Sequence, residues 1–147
     1  MDLREIYTQM IAEQSRSHEH RYHLENPDIV KDGVNPSCGD EIQLEIKIDN
    51  GILTGMSFTG DGCAISQAST SMMIGLLKGQ TIREALRLVK LFISMIQGET
   101  TDDSVLEELD EAISLKNVST MPARVKCAVL AWRTLEKTVD EYECNVI

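Results

Sequence analysis

A chain of 147 residues is long enough to bury a core without disulfide staples, and it is expected to form one domain over residues 1–147. Its net charge of -10 and pI near 4.7 repel nucleic-acid backbones and anionic lipid, so neither is expected as a partner. The most apolar stretch, Leu86–Ile96, is short and broken by Lys90, and no basic segment followed by an apolar one opens the chain. The expectation is therefore a cytoplasmic protein off the membrane, with its four cysteines free or metal-bound rather than paired.

Leu3, Ile6, Tyr7, Met10 and Ile11 form a helical stripe and predict an amphipathic N-terminal helix. The polar stretch Gln14–Asp28 carries His18, His20 and His23, a spacing that suits a metal but is also common in plain polar loops. Glu41–Ile48 alternates polar and apolar, and Ile52, Thr54, Met56 and Phe58 repeat the period beyond Asp49-Asn50-Gly51, which predicts a β-hairpin. Matching the apolar faces pairs Ile48 with Ile52 and Ile42 with Phe58 across a three-residue loop, and places Cys38 opposite Gly62.

From Ala64 the period becomes helical, with Ile65, Ala68, Met72, Met73 and Leu76 on one face and Gly79 as a stop. Thr81-Ile82-Arg83-Glu84 is a capping box for a second helix running to Gly98. Ser104 and Glu107 are expected to cap a shorter, acidic helix through Leu115. Pro122 opens a long last helix buried along Val125, Ala128, Val129, Trp132, Leu135 and Val139. The acidic residues between Glu99 and Glu111, and at Asp140, Glu141 and Glu143, are a solvated surface. The fold class is α+β, a small antiparallel β-sheet with a hairpin packed against about five helices.

Three cysteines stand where regular elements begin or end: Cys38 before Gly39-Asp40, Cys63 after Gly60-Asp61-Gly62, and Cys127 after Arg124-Val125-Lys126. A free cysteine is often only a small buried hydrophobe, and each of these taken singly is as well explained that way. Cys63, however, lies opposite the apolar stripe at the positive end of its helix, which favours thiolate. Cys127 lies off the stripe of the last helix, and the cations Arg124 and Lys126 are expected to lower its pKa. Asp40, two residues from Cys38, could complete a metal's coordination. Cys144 is read as a bystander near the chain end.

The motifs Cys38-Gly39-Asp40, Gly60-Asp61-Gly62-Cys63-Ala64-Ile65-Ser66 and Pro122-Ala123-Arg124-Val125-Lys126-Cys127, in that order around a hairpin, closely resemble the iron-sulfur scaffold family of IscU and the NifU N-terminal domain. Within it the chain looks most like the SufU branch. The segment between Cys63 and Cys127 is long, with an acidic helix over Asp102–Leu115, and Lys126 stands where IscU-type scaffolds carry a histidine ligand. The resemblance implies a zinc held by Cys38, Asp40, Cys63 and Cys127, with Cys38 accepting persulfide sulfur from a SufS-like cysteine desulfurase and Arg124 helping to orient the site. It implies a relay partner of the iron-sulfur assembly machinery rather than a stand-alone enzyme.

The chain departs from the family in two places. Met121-Pro122-Ala123 holds one proline where scaffolds served by a dedicated Hsp70 carry two, so that chaperone is not expected. Glu13-Gln14 and Ser17–His20 stand where relatives often show an Asp-His pair and a Pro-Arg-Asn turn. Three functions follow from the resemblance and the donor set: a zinc-dependent sulfurtransferase, which is preferred; a scaffold that builds and passes on an iron-sulfur cluster; and a structural zinc module.

Overall fold

The alternating run forms the middle of a three-stranded antiparallel sheet ordered β1 (Ile29–Asn35), β2 (Asp40–Asp49) and β3 (Ile52–Asp61). The computed structural model describes the backbone of residues 2–146 and the side chains of residues 2–143, so the Cys144 side chain lies outside the described residues. The helices are α1 (Leu3–Arg16), α2 (Ala64–Leu77), α3 (Ile82–Ile96), the single turn α4 (Asp103–Leu106), continued by a 3-10 run over Glu107–Thr120, and α5 (Pro122–Val146). No helix of the described residues is long and apolar enough to cross a membrane.

The hairpin register differs from the expected one. Asn50 and Gly51 both adopt positive φ, 51° and 73°, so they close a two-residue turn that pairs Asp49 with Ile52. That is the conformation an Asn-Gly pair favours in hairpins. A bulge beyond Ile48–Leu53 then leaves Thr54 as the extra residue, its hydroxyl donating to Lys47 O at 3.3 Å. Leu53 therefore enters the core, while Ile52 and Thr54 are exposed. The two changes together shift the pairing by two residues, so Leu44 faces Phe58 and Ile42 faces Gly60. Because side chains alternate with period two, the apolar face is kept, but Asp40, rather than Cys38, is brought to Gly62 and Cys63.

The inner face of the sheet, Ile42, Leu44, Ile46, Met56 and Phe58, is buried in a continuous core with α2, α3 and α5. The helix α2 is buried nearly all round, beyond its expected stripe, and the hydroxyls of Ser69, Thr70 and Ser71 all find hydrogen-bond partners. Ser69 accepts from Trp132 Nε1 at 2.9 Å and donates to Ala128 O at 2.5 Å, while Trp132 stacks on Phe92 with ring centroids 3.8 Å apart. The Thr81 cap forms as expected, its hydroxyl accepting from Glu84 N at 3.1 Å.

The expected acidic helix is only partly formed. Asp102, not Ser104, caps it, and the chain breaks at Asp110, which has φ 51° and ψ -131°. Glu107, Glu108 and Glu111 would crowd one another at helical i,i+3 and i,i+4 spacings, which disfavours a regular α-helix there. The stripe of α1 is only half used: Met10 and Ile11 pack on the core, whereas Leu3 and Ile6 are exposed. The segment after α1 runs along β3, where His20 O accepts from Phe58 N at 3.0 Å.

Replacing Leu44 with Ala in this closed core should lower unfolding stability by about 2–5 kcal/mol in urea titration, whereas Thr54→Ala at the exposed bulge should cost less than about 1 kcal/mol.

Candidate metal and sulfur site

Each sulfur is placed by a different joint of the fold. Cys38 sits in the turn from β1 to β2, with its N–H donating to Asn35 O at 3.2 Å and the following Gly39 at φ 70°. Asp40 opens β2, fully buried, and its Oδ1 accepts from Cys63 N–H at 2.8 Å. Cys63 is the N-cap of α2, its Sγ accepting from Ser66 N at 3.4 Å. Cys127 lies in the second turn of α5 and is 1% exposed.

The turn and α5 bring Cys127 Sγ within 2.8 Å of Cys38 Sγ. One ligand atom each from Cys38, Asp40 and Cys127 lie within 4.8 Å of one another, the one such group of three among the described residues. Cys63 stands beside this triad rather than in it, its thiol interacting with that of Cys127 while it caps α2. The histidines are not part of it. His23 Nδ1 is 2.6 Å from Glu45 Oε2, His20 is half-buried with its pKa lowered by that burial, and His18 lines a groove with Arg21 and Gln67.

Cys127 departs from the sequence expectation. Burial is the largest influence on its thiol and pushes the pKa well up, reinforced by the hydrogen bond to Cys38 and by the nearby Asp40 and Cys63 side chains. The cations do not reverse this. Arg124 is exposed, and the nearby Cys127 and Cys63 sulfurs raise its own pKa. Lys126 is exposed and lines a neighbouring cleft with Val34 and Arg133. Asn35, which sequence patterning does not single out, is 6% exposed and directs Nδ2 to Cys127 Sγ at 3.9 Å.

The donor set fits a divalent cation. Two sulfurs and a carboxylate oxygen converge, Cys63 supplies a fourth donor alongside, and Asp40 Oδ2 is buried without a hydrogen-bond partner. A buried anionic oxygen left unpaired is costly, and a cation on its open side would satisfy it.

The NifU-like N terminal domain model matches residues 6–146. The chain belongs to that family. It is 43% identical over 138 residues to the zinc-dependent sulfurtransferase SufU of Bacillus subtilis, covering 94% of this chain and 92% of that protein. It is 36% identical to the iron-sulfur cluster assembly scaffold protein IscU of Thermotoga maritima, over 91% of this chain and 92% of the relative. Among solved structures, FiSufU of Fervidobacterium islandicum AW-1 superposes with a TM-score of 0.82 at 38% identity, covering 92% of this chain and 97% of the other. An N-terminal NifU-like protein of Brucella abortus, 22% identical with a TM-score of 0.80 over 95% of both chains, shares the fold.

The NifU-like fold leaves no room for a side chain at position 62. A Cβ on Gly62 would lie 2.7 Å from Asp40 Oδ1 and 3.2 Å from Asp40 Cγ, so Asp40 would have to move. Gly62→Ala should keep a native far-ultraviolet circular dichroism spectrum yet lose metal at least about tenfold faster to a competing chelator, as expected when a partner that orients a ligand is disturbed.

Proposed function

We propose that this protein is a zinc-dependent sulfur acceptor that takes sulfane sulfur from a cysteine desulfurase for iron-sulfur cluster assembly. The observation that carries the reading is the asymmetry of the two touching thiols: Cys38 is half-exposed on a turn, whereas Cys127, 2.8 Å away, is buried. An acceptor must be reached by a donor, and its neighbours must hold it in place. The SufU relative and the absence of a histidine before Cys127 support zinc in the site, held by Cys38, Asp40, Cys63 and Cys127.

Zinc would keep these thiols deprotonated in a site where burial alone opposes ionisation. The protein's part is positional. Asp40, tied through Oδ1 to the start of α2, fixes one edge; Asn35 and Arg124 border the sulfurs; and the Gly39 turn leaves Cys38 free to meet a donor. In the transfer, the Cys38 thiolate attacks the terminal sulfur of the donor's persulfide. The donor's S–S bond breaks with its electron pair leaving on the donor thiolate, and a new S–S bond forms on Cys38 without net oxidation or reduction. Cys38 is the catalytic residue in this scheme. The site of action is the cytoplasm, where thiols stay reduced.

A second reading, a scaffold on which an iron-sulfur cluster is assembled, is favoured by the Thermotoga maritima relative and by a donor set that also suits iron. A structural zinc module is the third, and it would need Cys38 only for folding.

With sulfur-labelled cysteine and the cognate desulfurase, label should appear on the wild-type chain and be lost on Cys38→Ala, with the fold retained. Loss of the fold instead would favour the structural module. Asp40→Ala should release most of the zinc measured by elemental analysis. Stoichiometric iron and sulfide with a visible cluster chromophore in anaerobically purified protein would move the assignment to the scaffold.

A further inference from the structure

The strand β1 ends the sheet on one side, and among the described residues no hydrogen bond from outside the sheet reaches the backbone of residues 29–34. Open edges of this kind are usually blunted, because they template pairing with another chain. Here the edge is short; Lys31 pairs with Glu141 and Asp32 accepts from Gln43, which leaves Val30 and Val34 exposed at 51% and 55%. The far edge of the sheet differs. Leu53 N donates to Gln80 O, Gly79 N to Leu53 O, and Phe58 N to His20 O, so β3 is capped along much of its length.

Beside the β1 edge, α5 presents Lys126, Val129, Leu130 and Arg133, spaced i, i+3, i+4 and i+7 along one ridge. This ridge meets Val34 and Asn35 in a cleft of about 220 Å³ whose lining combines the apolar Val34, Val129 and Leu130 with the cations Lys126 and Arg133. Neither Lys126 nor Arg133 forms an ion pair among the described residues, although the chain as a whole carries a charge of -10. The strand leads directly to the site: Asn35, its last residue, accepts from Cys38 N and directs its amide at Cys127 Sγ.

We infer that β1 is the docking edge for the sulfur-donating partner, which adds an extended acidic segment to the sheet and lays its apolar side chains on the Val34–Leu130 cleft. This rests on the sulfur-acceptor reading and names the surface that serves it. Main-chain bonds to β1 give affinity, the cleft selects an apolar side chain, and Lys126 and Arg133 select neighbouring carboxylates. Paired in this way, the segment runs along β1 toward the turn that carries Cys38. A neutral or basic segment would not gain from the two cations.

The test uses the full-length, zinc-loaded protein and the cysteine desulfurase of the same organism. Val34→Glu and Arg133→Glu should each weaken binding by about tenfold or more in calorimetry, while zinc content and the alkylation rate of Cys38 by iodoacetamide stay at wild-type values. Hydrogen exchange should slow at the amides of residues 30–34 in the complex, a signature that loss of charge attraction alone does not give. Unchanged affinity in both variants, or unchanged exchange along β1, overturns the proposal. So does a wild-type chain that self-associates in sedimentation and becomes monomeric on Val34→Glu, since the occupant would then be a second copy. If wild type binds the desulfurase through β1 but takes no labelled sulfur, the docking edge stands and the acceptor reading fails.

Discussion

The hydrogen bond from Cys63 N–H to Asp40 Oδ1 is the joint on which the site depends. It ties the first residue of β2 to the residue capping α2, and it does so with a carboxylate that is fully buried. Burying a carboxylate costs several kcal/mol unless its charge is met, and the backbone N–H at the positive end of a helix meets part of it. The second oxygen remains unpartnered, and a carboxylate oxygen of Asp40 lies within 4.8 Å of the Cys38 and Cys127 sulfurs. A cation there would complete what the fold begins.

That joint requires small residues around it. Position 62 has no space for a Cβ, and a Cβ at Gly60, which has φ 117°, would collide with the Glu41 carbonyl oxygen. Farther along α2, Ser66, Ser69, Thr70 and Ser71 are all buried in a helix that a simple apolar stripe would leave half exposed. Three of these hydroxyls find partners in several directions: Thr70 donates to Ser66 O, Ser71 to Gln14 Oε1, and Ser69 links Trp132 to Ala128, whereas the Ser66 hydroxyl is buried without a partner. Short side chains bring α1 and α5 close to α2, and Cys127 is carried to the Cys38 turn by that approach.

The resulting site has an inside and an outside. Cys127 is sealed between α5 and the sheet, with its ionisation opposed by burial, while Cys38 remains accessible on its turn. Such a division suits a sulfur relay, in which one thiol meets a partner while the others hold the centre together. The open edge of β1 and the cationic ridge of α5 meet at Asn35, whose carbonyl accepts from Cys38 N, so the proposed docking edge and the accessible thiol are joined by one turn.

Local sequence determined the elements: the alternation at Glu41–Ile48, the Thr81 cap, the Pro122 helix start, and the Cys63 position at the head of α2. Those features depend on neighbours within a few residues, where propensity and capping act. The strand β1 was not legible, because Ile29–Asn35 carries Lys31, Asp32 and Gly33 and gains its pairing only from β2. The register was decided by the Asn50-Gly51 turn and the bulge at Thr54, and these set which residue meets Cys63. The environment of Cys127 was likewise tertiary: helical angle alone placed it off the buried face of α5, but the turn carrying Cys38 closes over it, so burial outweighs the nearby cations. Sequence fixes which donors are present, whereas the approach of three separate elements decides which of them touch.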